Sequence, residues 1–272
     1  MPHTARKKKQ HPQKKRIQVE AEDGWTTITF TGLGGSHSHG TRAPQGRTRL
    51  APAEIPDGYS IDALKKDYMR HDETWKSSQC SSELTALFGQ RVIKGQGRTL
   101  RRIDNCVCLG LGSIVDPFSR RFAHFQLAAL QQVLSILDDS DGSHMSKRVA
   151  QDPAFNHIDA EFLETQDFTV LQNPEAFEHI NDSTFLYAPH CEWSFLLPAL
   201  RGKPTPPLVL CNSLDPLVSG PLSATVPIEQ LETARDITQK NRNCARFPRF
   251  EPFESAFNDL SIYWSGNDDP AV

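Results

Sequence analysis

Two alternating patterns of hydrophobic positions run through the middle of the chain. Short runs at Cys106–Leu111, Lys147–Gln151, Phe168–Leu171, Thr184–Tyr187 and Pro207–Cys211 have the length of buried strands. Between them, apolar residues recur every three or four positions, as in Phe125, Leu130, Val133, Leu134 and Leu137. That spacing lines one face of a helix. Helices are predicted over about 123–137, 157–163, 175–179 and up to Leu200, with a polar loop over Asp138–Ser146. Strands alternating with helices predict an α/β fold, a Rossmann-like doubly wound and mainly parallel sheet. Ahead of the sheet, Ser60 is a good N-cap for a helix to about Ser77, and Leu84, Leu87 and Phe88 stripe a second helix over about 82–93. These form a helical lead-in. Leu260, Ile262 and Trp264 alternate as an added C-terminal strand.

Residues 1–55 differ in character, mixing basic, Gly/Ser/His and Pro-rich stretches around one readable strand, Trp25–Phe30. Little there can offset chain entropy by burial, which predicts a disordered arm followed by a single domain over 56–272. At 272 residues and 38% hydrophobic content the chain can bury one sizeable core. Arg6, Lys7, Lys8, Lys9, Lys14, Lys15 and Arg16 contribute seven positive charges to a net charge of −3, which leaves −10 on the remainder. An acidic body argues against specific nucleic-acid binding, whereas the arm is a nuclear-import candidate. No run approaches the roughly 18 apolar residues of a membrane helix, and the basic N-terminus lacks the apolar region of a secretory signal. A soluble protein of cytoplasm and nucleus is expected. Six cysteines in a chain of this length read as reduced thiols, with Cys106 and Cys108 on one strand face.

The polar clusters fall at the carboxyl ends of the predicted strands. Gly110-Leu-Gly112-Ser113 ends the first strand in a loop that can approach a ligand or simply turn the chain. Val115 stands where a dinucleotide fingerprint would place its third glycine, so no cofactor is identified. In doubly wound sheets the ligand crevice lies where strand order reverses, here between strands one and four. That would set Gly110, Gly112 and Ser113 opposite His190 and Cys191, with Asp152 and Asn212 at the flanks. Asp152 could hold ribose hydroxyls or start the turn before Pro153. His190 and Cys191 offer a base, nucleophile or soft ligand, or a structural imidazole beside a buried thiol. Cys-x-x-Cys, His-x-x-x-His and Gly-x-Ser-x-Gly are all absent, so neither a metal site nor a serine hydrolase is expected.

Val107-Cys-Leu-Gly-Leu-Gly-Ser113, Gln126-Leu-Ala128, Gln151-Asp-Pro-Ala-Phe155 with Asp159, Tyr187-Ala-Pro-His-Cys191 and Phe257-Asn-Asp-Leu-Ser-Ile262 occur in that order. Together they resemble the Sensitivity to Red Light Reduced family, over about Ile61 to Trp264. The resemblance implies a eukaryotic regulator, linked to circadian timing and light signalling in plants, to stress, development and cytoskeletal phenotypes in fungi, and to haem synthesis and clock-gene expression in animals. It implies no settled reaction. Two classes therefore stay open. One is a regulatory protein that binds a small ligand or a protein partner; the other is an enzyme of nucleotide or S-adenosylmethionine type using the Gly112 and His190 crevice.

Overall fold

A computed structural model describes residues 16–20, 26–30, 51–94, 100, 102–141 and 145–266, in two units, residues 1–50 and 51–272. In the first unit, strand β1 (Arg16–Glu20) pairs antiparallel with β2 (Thr26–Phe30), Arg16 opposite Phe30 and Glu20 opposite Thr26. The second strand matches expectation, while β1 falls where disorder was expected. The other basic residues of the import candidate, Arg6, Lys7, Lys8, Lys9, Lys14 and Lys15, and the Gly34–Gly40 loop with its histidines lie outside the described residues.

In the second unit the five predicted strands form a parallel array: β3 (Asn105–Leu109), β4 (Lys147–Gln151), β5 (Thr169–Val170), β6 (Thr184–Ala188) and β7 (Leu208–Asn212). Two antiparallel strands, β8 (Asn243–Arg246) and β9 (Leu260–Trp264), complete a seven-stranded sheet in the order β5-β4-β3-β6-β7-β9-β8. Strand order reverses between β3 and β6, which pair in parallel from Asn105 opposite Thr184. The sheet is mixed, mainly parallel and doubly wound, as expected. All five residues of β3, β6 and β9 are buried. Helices covering both faces explain why these strands read as apolar runs instead of alternating ones.

The lead-in consists of α1 (Ile61–Lys76) and α2 (Gln79–Leu87), the latter running into a π-helical turn, Phe88–Val92. Ser60 caps α1 by accepting from the Ala63 amide, and Ser78 caps α2 from Ser81. Trp75 on α1 is wholly buried; its ring lies 5.2 Å from that of Phe257 and 5.3 Å from Phe250, and its indole N–H donates to Gln132 at 2.7 Å. Gln132 belongs to α3 (Arg120–Asp141), which continues through the start of the loop expected over Asp138–Ser146. The helix outlasts its apolar stripe because Asp138 has partners, accepting from the Met145 amide at 2.8 Å and from Arg148 at 2.7 Å. After β4 come α4 (His157–Glu164) and, beyond β6, α5 (Trp193–Leu200); α6 (Asp215–Val218) and α7 (Ile228–Lys240) follow β7. Strand β8 escaped the sequence pattern because it is a largely exposed edge with little apolar signal.

Candidate functional site

The carboxyl ends of β3, β4, β6 and β7 meet at the reversal point. Beyond β3 the chain turns through Gly110 and Gly112, at φ +69° and +78°, the left-handed region that glycine enters without strain. The Gly112 amide donates to Asp152 at 2.7 Å, and the same carboxylate accepts from the Ala154 amide at 2.8 Å. Asp152 is therefore turned inward, toward the loop. Of the two roles open to Asp152, these bonds serve the turn after β4. Burial pushes its pKa up to about 6, with the Ala154 and Gly112 amides pulling the other way and Asp159 adding to the rise.

Asp159, on α4, is wholly buried and organises the rest of the loop. One oxygen accepts from the Ile114 and Val115 amides at 2.8 and 3.1 Å, the other from the Ser113 hydroxyl at 2.8 Å and the Asn156 amide at 2.9 Å. The Asn156 side chain returns a bond from the Asp159 amide, completing a reciprocal cap at the start of α4. Burial raises the Asp159 pKa against all these donors. Asp159 contributes to the family resemblance, but the sequence assigns it no site role. The signal was the Asn156-x-x-Asp159 capping pattern.

On the other side of the reversal, His190 follows β6 at φ +56°, an uncommon conformation for a residue with a side chain. The residue is exposed overall, but burial of its ring lowers the imidazole pKa against the Ala256 and Ser255 backbone and Asp259, and Nε2 lies 3.0 Å from the Ala256 carbonyl, to which it donates. That carbonyl also accepts from buried Gln126 at 3.0 Å, while Tyr187 on β6 donates to the Gln126 carbonyl at 2.8 Å. Two motifs of the family resemblance, Gln126–Ala128 and Tyr187–Cys191, thus converge on one 3₁₀ segment, Glu251–Ala256. Cys191 is buried; desolvation first, then Asp152, holds its thiol well above the ordinary range, against a thiolate nucleophile. Asn212 at the end of β7 donates to the Cys191 carbonyl at 3.0 Å. Trp193 Nε1, two residues beyond Cys191, is a buried N–H without a hydrogen-bond partner among the described residues.

The six expected ligand residues thus form linked groups. Gly110, Gly112, Ser113 and Asp152 belong to the loop cluster, where the Gly110 amide also donates to the Gln151 carbonyl. Asn212 anchors the His190–Cys191 turn, and the Asp152 charge reaches Cys191 across the reversal. His190 itself is committed to the 3₁₀ segment. A cavity of about 540 Å³ lies elsewhere, where Arg201–Pro206 leads into β7, lined by Lys203, Glu229, Asp236 and Lys240 among others.

A histidine pair that the sequence did not single out supports the loop from behind. His124 Nε2 lies 3.1 Å from the Ile114 carbonyl, and its Nδ1 lies 3.0 Å from His71 Nδ1, which is 2.7 Å from the Asp67 carbonyl. Carbonyls only accept, so the network assigns the proton to Nε2 of His124 and to Nδ1 of His71. Burial and the neighbouring imidazole lower the His124 pKa to about 3.

These shifts have opposite signs. As pH falls from about 6.5 toward 3, the unfolded chain protonates His124 while the native protein resists, so stability is lost by a few kcal/mol. As pH rises from about 4 to about 6, the unfolded chain ionises Asp152 first, which costs the native state on the order of 2 kcal/mol. Urea unfolding from pH 4 to 7 should show less acid sensitivity in His124→Gln. Asp152→Asn should gain on wild type as pH rises; parallel profiles for all three proteins would refute the assignment.

Among the described residues no helix is long and apolar enough to cross a membrane. The model of the SRR1 domain matches residues 84–264, about two-thirds of the chain and every strand from β3 to β9. Its span encloses the glycine loop, both buried aspartates, the His190–Cys191 turn and the 3₁₀ segment, and on that match the protein belongs to the SRR1 domain family of Sensitivity to Red Light Reduced proteins.

Proposed function

We propose that this protein is a regulator whose SRR1 domain binds a small ligand or a protein partner at the β3/β6 crevice. The observation that carries the reading is how the polar groups there are employed. Asp152, Asp159, Ser113, Asn212 and His190 all bond to neighbouring elements, which fixes a shape without preparing a nucleophile. Beside this fixed frame, Phe118 stands 91% exposed and Trp193 keeps a buried N–H without a partner among the described residues. An exposed aromatic ring and an unused donor suit recognition. Circadian or light signalling, stress responses and haem-synthesis regulation are the settings the family resemblance suggests. The alternative is a nucleotide- or S-adenosylmethionine-type enzyme using the Gly112 and His190 crevice, for which Asp152, its pKa pushed by burial up to about 6, is the candidate acid–base group.

His190→Ala should abolish complementation of a deletion strain while lowering the melting temperature only modestly, because the residue is an exposed one whose ring bonds only to backbone. Gly112→Asn should do the same. At φ +78° asparagine is tolerated far better than valine, and its side chain would be directed toward Ser119, whose Cβ lies 3.5 Å from the new Cβ. Full activity of both folded variants would end the crevice reading. For the arm, alanine at Lys7, Lys8, Lys9, Lys14, Lys15 and Arg16 should reduce nuclear accumulation without moving the melting temperature. An unaltered distribution of the tagged variant would reject import by this segment.

A further inference from the structure

We propose that Asp159 is a specificity-determining residue: it fills from within the chain the place that a phosphate would take at the glycine loop, so the crevice accepts ligands without phosphate. The inference rests on the reading that the crevice binds a ligand. In phosphate-binding α/β domains, backbone amides after the first strand converge on the ligand's anionic oxygens. Here those donors are taken. Ile114 and Val115 point their amides at one Asp159 oxygen, the Ser113 hydroxyl at the other, and Gly112 at Asp152. The Asp116 amide turns back to the Ser113 oxygen at 3.2 Å. Asp116 in turn occupies the approach to α3, accepting from the Phe118 amide at 3.2 Å and the Ser119 hydroxyl at 3.0 Å. An entering phosphate would find few free donors and three carboxyl groups.

Asp159 cannot easily withdraw to make room. It is wholly buried and held by the cap at the start of α4, whose Asn156 side-chain amide is tied to the Ala53 carbonyl at 3.1 Å. The groups the fold leaves unused are the exposed ring of Phe118 and, among the described residues, the unpartnered Trp193 N–H. They fit an uncharged ring compound that offers a hydrogen-bond acceptor. Phosphate esters are the class the loop turns away.

The test follows the backbone amides of Gly112, Ile114 and Val115 by NMR, with thermal unfolding of the full chain, during titration with pyrophosphate, ADP and adenosine. In wild type, pyrophosphate and ADP should leave these amides and the melting temperature unmoved to millimolar concentration. In Asp159→Asn, pyrophosphate should shift Ile114 and Val115 saturably. Should that variant fail to fold, Asp152→Asn is read in the same way at Gly112. Saturable pyrophosphate binding to these amides in wild type would overturn the proposal, and so would a folded Asp159→Asn that stays silent. ADP binding to wild type together with an inactive His190→Ala would refute phosphate exclusion and leave the binding reading standing. Silence toward pyrophosphate with fully active crevice variants would remove the binding reading instead.

Discussion

A chain beginning at residue 84, where the match to the SRR1 domain starts, should fail to fold. Such a truncation removes α1, which lies outside the matched residues yet fills the centre of an aromatic cluster. Trp75 packs between α3 and the rings of Phe247, Phe250 and Phe257, and Tyr68 meets the rings of Phe162 and His124 at 5.3 and 6.0 Å. Without α1 those rings face water, and the His71 partner of His124 is lost. A graded version is Trp75→Ala, expected to cost about 3–5 kcal/mol through lost burial and the cavity left behind. Against a typical total of about 5–15 kcal/mol, that is a large share. Urea unfolding measures it, and a loss below about 1 kcal/mol would show that α1 is peripheral to the domain.

The second large effect is expected at Asp159. Changing it to alanine strands three donors in or near the interior, the Ser113 hydroxyl and the amides of Ile114 and Asn156, and leaves the Val115 amide only its 3.3 Å contact to the Ser113 oxygen. Each unsatisfied buried donor costs about 1–3 kcal/mol, so a loss of at least about 3 kcal/mol is expected. Soluble yield should collapse accordingly. Ser113→Ala removes one donor together with its acceptor contacts to the Val115 and Asp116 amides, and should cost only about 1–2 kcal/mol. Denaturation curves that ranked the two variants equally, or placed Asp159→Ala within about 1 kcal/mol of wild type, would show that the loop holds its shape by chain geometry alone.

What the linear chain made legible was the sheet and the place of the crevice. Strands buried on both faces appear as apolar runs, helices on one face appear as three- and four-residue periods, and right-handed crossovers then leave few ways to order them. With five strands alternating with helices, the doubly wound pattern put the reversal between the first, Cys106–Leu111, and the fourth, Thr184–Tyr187, where β3 and β6 pair. Ser60 announced the start of α1 because capping is local chemistry.

Other features depended on partners distant in sequence. Asp152 could be put at the end of β4, but that it turns toward Gly112, 40 residues earlier, is decided by the neighbouring strand. Asp159 shows only a cap pattern in its own helix; its bonds to Ile114 and Val115 exist because α4 packs against a loop some 45 residues away. The extension of α3 past its apolar stripe required Arg148, and β8 required the exposed edge of β9. Hydrophobic periodicity records which face of an element is buried. It carries no information about where a polar side chain on that element finds its partner. The amino-acid sequence by itself therefore determined the doubly wound architecture and the sheet edge where its polar clusters gather, whereas only the tertiary structure decided that the glycine loop's donors are already taken, because those bonds join segments that meet only when the sheet closes.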